Sequence, residues 1–240
     1  MKKLYATAIL AMTMVFLVGC EDSASVNSIT PAPVHNGADG NTIAIYVVID
    51  GSGSMANEVM DTSKTSSPKW KIANQALLTL GNQIDAYLNT NTNRTVLTGI
   101  VLFKNGNINL SDFGVLSNNV TSTYKEWINK YDGPNGNTPL GEAILMAADC
   151  IVNDKVRSKH IMAITDGESN QGRDPSTIVD GLRTRGDTVV PHFIAFDVNA
   201  DVFNDVKKLG CGVVSASSGE ALQAQVNRIV KEEILLEKED

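Results

Sequence analysis

Five oxygen-bearing side chains in this 240-residue sequence have the types and spacing of a site for a hard cation. Asp50, Ser52 and Ser54 alternate with glycines in Asp50-Gly51-Ser52-Gly53-Ser54. Thr138 stands before a proline in Gly136-Asn137-Thr138-Pro139, and Asp166 leads Asp166-Gly167-Glu168. The set offers two carboxylates and three hydroxyls, with no histidine or cysteine among them. Oxygen donors of this kind suit Mg²⁺, Ca²⁺ or Mn²⁺ rather than zinc or copper. Each piece also has a plain structural reading: a strand-ending turn at Asp50-Gly51, a helix cap at Thr138, a turn at Asp166-Gly167. A fold that gathers the three loops is what would make them a site.

The rest of the pattern predicts such a fold. Ile43 to Ile49 is a continuous apolar run of the kind buried on both faces of a parallel sheet, and it ends at Asp50. Ile161 to Thr165 ends in the same way at Asp166. Further strands are predicted at Val96 to Phe103, Val189 to Phe196 and Gly212 to Ala216. Lys104-Asn105-Gly106-Asn107 is a hairpin signal, so Ile108 to Phe113 should pair back antiparallel. Ser67 and Pro68 are expected to cap and open a helix whose apolar residues recur from Ala73 to Leu88 at helical spacing. Other helices are predicted at Tyr124 to Tyr131, Pro139 to Val152, Pro175 to Arg185 and Val202 to Leu209, with a last one capped by Ser217 and Glu220. The alternation implies an α/β fold: one domain over residues 41–240, with a doubly wound, mostly parallel sheet, one antiparallel edge strand and helices on both faces. In such sheets ligands gather beyond the carboxyl ends of the strands, where the strand order reverses. Asp50 and Asp166 both fall at such ends.

Taken together, the Asp-x-Ser-x-Ser, the loop threonine and the later Asp-Gly resemble the metal-ion-dependent adhesion site of the von Willebrand factor type A (VWA) family, over about residues 41–238. The resemblance implies a Rossmann-like VWA fold and a divalent cation held by Asp50, Ser52, Ser54, Thr138 and Asp166, with Mg²⁺ first and Ca²⁺ or Mn²⁺ as alternatives. In that family the serines and threonine contact the ion through neutral oxygens, and the aspartates act directly or through waters. A cation so held keeps uncompensated positive charge and draws an Asp or Glu carboxylate from a protein partner. Gly51 and Gly53 are expected to let the loop close around the ion without Cβ clashes.

The amino terminus has its own signature. Lys2 and Lys3 precede a mostly apolar stretch, Leu4 to Val18, which runs into Leu17-Val18-Gly19-Cys20. This resembles the lipobox of bacterial lipoproteins, and implies a signal peptide over residues 1–19 and a lipidated Cys20 carrying two or three acyl chains, enough for a permanent membrane anchor. Residues 21–40, rich in Ser, Asn, Ala, Pro and Gly, read as a flexible tether. The protein is therefore expected in the bacterial cell envelope, on the periplasmic or cell-surface side. The tether joins the first strand at its start, and the Asp50 end lies about 23 Å further on, so the ion should face away from the membrane. With Cys20 lipidated, Cys150 and Cys211 remain. An oxidising envelope permits a disulfide between them, but two buried free thiols are the first expectation.

Composition narrows the function. Apolar residues are 42% and charged residues 20%, an ordinary globular balance, and the formal net charge of −7 speaks against nucleic acid as a partner. A serine nucleophile would need a base. His35 lies in the tether, His160 precedes a strand and His192 lies within one, so catalysis is not expected. Gly51-x-Gly53 lacks the third glycine of a dinucleotide loop, position 56 being alanine, and Asp50 would repel a pyrophosphate. Glu58, Asp61 and Glu168 read as a solvated acidic rim. The expected function is binding of a protein partner through the cation. The alternative is a structural or assembly role in the envelope, in which the ion only stiffens the loops.

Overall fold

The computed structural model describes residues 33–236. The expected signal peptide, Cys20 and the tether up to residue 32 lie outside the described residues.

Strand β1 (Thr42–Asp50) is buried at all nine positions. Ile43, Ile45, Val47 and Ile49 point into one apolar layer, and Ala44, Tyr46 and Val48 into the other. A small antiparallel hairpin follows, β2 (Glu58–Met60) with β3 (Ser66–Pro68), then α1 (Lys69–Thr90). Next come β4 (Thr95–Lys104), β5 (Asn107–Leu116), α2 (Val120–Ile128), α3 (Leu140–Ile151), β6 (Ser158–Thr165) and α4 (Pro175–Thr184). The chain closes with β7 (Val189–Phe196), α5 (Asn204–Lys208), β8 (Gly212–Ala216) and α6 (Gly219–Ile229), which runs into a π-helical turn at Val230–Ile234. The main sheet has the order β5-β4-β1-β6-β7-β8 and is parallel except for β5. Helices α1, α2 and α6 cover one face; α3, α4 and α5 cover the other. From β1 the chain winds first to β4 and later to β6 on the opposite side. The order therefore reverses between β1 and β6, and the pairing of Ile49 with Ile164 puts Asp50 and Thr165 side by side there.

Several ends differ from the sequence reading, each for a local reason. Asn105 and Gly106 both take positive φ, the backbone of the expected tight hairpin turn. Ser67 does not cap α1: its hydroxyl donates to Asp61 Oδ2 at 2.9 Å, while Pro68 ends β3 and occupies the cap position. Helix α2 begins four residues earlier than predicted. Asp85 of α1 accepts from the Val120 and Thr121 amides, capping α2 from another helix. At α6 the capping oxygen is that of Ser218, not Ser217, and it accepts from the Ala221 amide at 3.1 Å.

Cys150 and Cys211 are separate, buried free thiols. Helix α4 packs between α3, which carries Cys150, and α5, which leads into Cys211, so the two do not meet. Burial pushes the Cys150 thiol up to about 12 and raises that of Cys211, which leaves both unreactive. Among the described residues no helix is long and apolar enough to cross a membrane.

The last part of the expected tether is docked rather than loose. The His35 amide donates to Asp154 Oδ1 at 2.8 Å, and its ring sits between Asp154 Oδ2 and Asp112 Oδ2, each at 2.7 Å. With a carboxylate on each ring nitrogen, both nitrogens must donate, so the clamped ring is the imidazolium. Burial opposes that charge, but the hydrogen bonds and charges of Asp112 and Asp154 outweigh it, and the pKa is raised. A histidine with a higher pKa folded than unfolded contributes stability that is complete below about pH 6.5 and fades as pH rises through the folded value. Asp154 has no exposed side-chain surface, so removing the ring leaves its Oδ2 without a donor while the backbone amide of residue 35 still serves Oδ1. Replacing His35 with alanine is expected to cost about 2–3 kcal/mol in urea unfolding in mildly acidic buffer. The gap to wild type should narrow as the pH is raised.

Candidate metal centre

The carboxyl end of β1 carries a carboxylate with no exposed surface. Asp50 Oδ1 accepts the Ser52 amide at 2.8 Å, and Oδ2 accepts the Thr165 hydroxyl at 2.6 Å. Burial pushes the Asp50 pKa up. The bonds from Ser52 and Thr165 pull it back, and the Asp166 charge adds to the rise. Both of its donors are neutral, so its ionised form wants a positive charge nearby.

Asp166 follows β6 and is engaged at both oxygens. Ser54 donates to Oδ1 at 2.7 Å, and the Lys69 ammonium donates to Oδ2 at 3.0 Å. Ser52 Oγ lies 3.0 Å from Ser54 Oγ. A carboxylate paired with lysine only accepts, so Ser54 spends its proton on Asp166 and must accept from Ser52. This proton order leaves lone pairs on both hydroxyl oxygens free for a cation. Ser52 is buried and Ser54 exposed, so the cluster opens to solvent on the Ser54 side.

The third loop is joined through backbone. Gly53 N donates to Gly136 O at 3.0 Å and Asn135 N to Gly51 O at 2.7 Å, while Asn105 N donates to Asn135 O. Thr138 is buried just before α3; its amide donates to Asn170 Oδ1 at 2.8 Å, and the Asn170 amide returns a bond to Thr138 O. These bonds tie the three loops together without help from an ion.

The structure thus brings Asp50, Ser52, Ser54 and Asp166 to one edge, with Thr138 in the adjoining loop. Sequence reasoning missed Thr165, Asn170, Asp197 and above all Lys69. The one signal for Lys69 was its place in the first turn of a helix, where the macrodipole disfavours a cation. It also missed Tyr131, whose hydroxyl is buried without a partner; its pKa is raised by burial and by the charges of Asp50 and Asp132. Of the acidic rim, Glu58 and Glu168 are exposed, but Asp61 organises its own loop by accepting from Ser63, Thr65 and Ser67. The histidines lie elsewhere. His160 Nδ1, near the start of β6, lies 3.2 Å from His192 Nε2, in the middle of β7, and burial with the His192 charge takes His160 down to about 3.

These residues fit a hard divalent cation. Asp50, its pKa raised by burial and by the Asp166 charge, calls for positive charge, and Ser52 and Ser54 keep hydroxyl lone pairs to share. Among the described residues no group of three or more His, Cys, Asp or Glu side chains could hold a metal, so a cation here would depend on the hydroxyls.

Residues 44–228 match the von Willebrand factor type A domain. Among solved structures the chain is similar to the VWA domain of SpRpn10, with a TM-score of 0.58 and 15% identity over 78% of this chain and 94% of that one. The PilB minor pilin of Streptococcus sanguinis gives a TM-score of 0.61 and 17% identity, covering 83% of this chain and 62% of the pilin. An aerotolerance-related membrane protein from Bacteroides fragilis gives 0.56 and 15%, covering 78% and 97%. No curated protein matches the chain significantly.

The two loop glycines stand in different surroundings. A Cβ on Gly51 would lie 2.5 Å from the Phe103 carbonyl oxygen, whereas one on Gly53 would meet nothing closer than Gly136 O at 3.9 Å. Gly51 is therefore required by the neighbouring strand β4. In urea unfolding Gly51→Ala should cost about 2 kcal/mol, and Gly53→Ala should stay within about 0.5 kcal/mol of wild type.

Proposed function

The chain belongs to the von Willebrand factor type A domain family, and from that premise we propose that it is a lipid-anchored protein of the bacterial cell envelope that binds a protein partner through a divalent cation. Asp50, Ser52, Ser54, Thr138 and Asp166 would hold the ion, Mg²⁺ before Ca²⁺ or Mn²⁺. When bound, the cation supplies a positive charge that an Asp or Glu carboxylate of the partner can satisfy. The observation that carries this reading is the Ser52–Ser54–Asp166 hydrogen-bond chain beside a buried Asp50, at the point where the strand order reverses.

The chain's own groups divide the work. Ser52 and Ser54 direct their protons toward Asp166 and keep their lone pairs for the ion. Thr165 and the Ser52 amide hold the Asp50 carboxylate in one orientation. Ser54, exposed, marks the side from which a partner would approach. No histidine stands beside either serine among the described residues, which favours binding over nucleophilic chemistry.

The anchor rests on the sequence: the lipobox at Cys20 and the two lysines before it. Two similar structures, a minor pilin and a membrane protein by their names, are in keeping with an envelope setting. The alternative, an ion that serves only to stiffen the loops, is less favoured. The backbone bonds of Gly53, Asn135 and Asn105 already close these loops.

Asp50 is wholly enclosed and not at a solvent-facing rim, so its replacement by alanine would strip Thr165 and the Ser52 amide of their acceptor. Asp50→Asn keeps the shape and is the better probe. It is expected to weaken divalent-metal binding at least about 100-fold in calorimetry, roughly 2.7 kcal/mol. In pull-downs from an envelope extract, EDTA should release the partner from wild type. Unchanged metal affinity in Asp50→Asn would overturn the ligand assignment, and a partner retained in EDTA would favour the structural role.

A further inference from the structure

Lys69, the first residue of α1, is only 6% exposed, although its side chain is long and charged. Burial penalises the ammonium, and its position in the first helical turn sets it against the macrodipole. Two carboxylates hold it there. Its Nζ lies 3.0 Å from Asp166 Oδ2 and 2.9 Å from Asp197 Oδ2. Asp197, just past the end of β7, is partly exposed and takes a left-handed backbone (φ 55°). With a carboxylate oxygen within hydrogen-bond distance on two sides, the buried amine is held as the ammonium. A full positive charge therefore sits on the same carboxylate that the proposed ligand set shares. With Ser54 on the other oxygen, both oxygens of Asp166 are in use.

We propose that Lys69 is a resident counter-cation of the metal centre, positioning Asp166 when no metal is bound and competing with a divalent ion for it. This rests on reading the site as a cation site and adds a residue that sets its affinity. A unit charge and a double charge sharing one carboxylate repel each other strongly, even at the effective dielectric of a protein surface. The metal-free site thus keeps its shape, and divalent binding is held weaker than the five oxygen ligands alone would make it. Asp197 is the second partner toward which the ammonium can move, which lets Lys69 yield to a metal without becoming an unpaired buried charge.

The test compares wild type with Lys69→Met, each as the full chain purified in mild detergent, with Mg²⁺ and Mn²⁺ titrated by calorimetry. Lys69→Met should bind both ions at least tenfold more tightly, while its melting temperature in EDTA falls by several degrees. Lys69→Gln, which keeps a donor for Asp166 without the charge, should also bind more tightly and covers the case in which the methionine variant does not fold. Wild type that binds metal, with folded variants that bind no more tightly, would overturn the role of Lys69 and leave the cation site standing. Metal binding seen in the variants and absent from wild type would support it. Absence of binding in all three proteins would overturn the cation site and this inference with it.

Discussion

Asp50 is shut away from water at the end of a strand buried along its whole length, and a carboxylate in that position must be compensated by what lies within reach. The compensation comes from the Ser52 amide and the Thr165 hydroxyl, supplied by the next turn of the same chain and by the neighbouring strand β6. Both are neutral, so the desolvation is offset only in part, and the raised pKa records the remainder. The loop after Asp50 is pressed so tightly against β4 that only glycine fits at position 51, and its carbonyl is taken by Asn135. The strand-order reversal between β1 and β6 is what brings Thr165 and Asp166 within reach of this group at all.

Charge at this edge is balanced unevenly. Asp50, Asp166 and Asp197 stand against the single ammonium of Lys69, and the hydroxyls of Ser52 and Ser54 contribute dipoles rather than charge. Hydrogen bonds satisfy the geometry of the carboxylates without neutralising them. The same edge therefore combines a rigid frame, fixed by backbone bonds between its three loops, with an excess of negative charge. The proposed cation function depends on that combination: the frame holds the donors in place before any ion arrives.

The opposite end handles its polar groups in another way. His35 is fixed as an imidazolium between two carboxylates, one of them completely buried, and its clamp ties residues ahead of β1 to β5 and to the turn after α3. His160 and His192 stack with ring centroids 5.4 Å apart, and burial lowers the pKa of both. The titratable rings lie away from the strand ends that carry the hard oxygens.

The alternation of apolar runs determined the fold, and the pattern was legible because a strand buried on both faces admits almost nothing but apolar residues: β7, buried over its last six residues, begins and ends where the sequence placed it. That Asp50, Ser52, Ser54 and Asp166 fall at one edge was legible too, since they follow strand ends whose meeting the topology fixes, while the choice of these residues and Thr138 as a set came from the family resemblance. What the sequence left open were interactions made across the fold. The start of α2 depends on Asp85 from α1, and the start of α1 on a hairpin and on Asp61 drawing Ser67 away. Docking of His35 depends on Asp154, 119 residues away. Burial of Lys69 depends on Asp166 and Asp197, from two different strand ends. Local propensity and periodicity are properties of neighbours in the chain. A buried charge is tolerated only where distant groups converge on it, and that convergence exists only in the folded molecule.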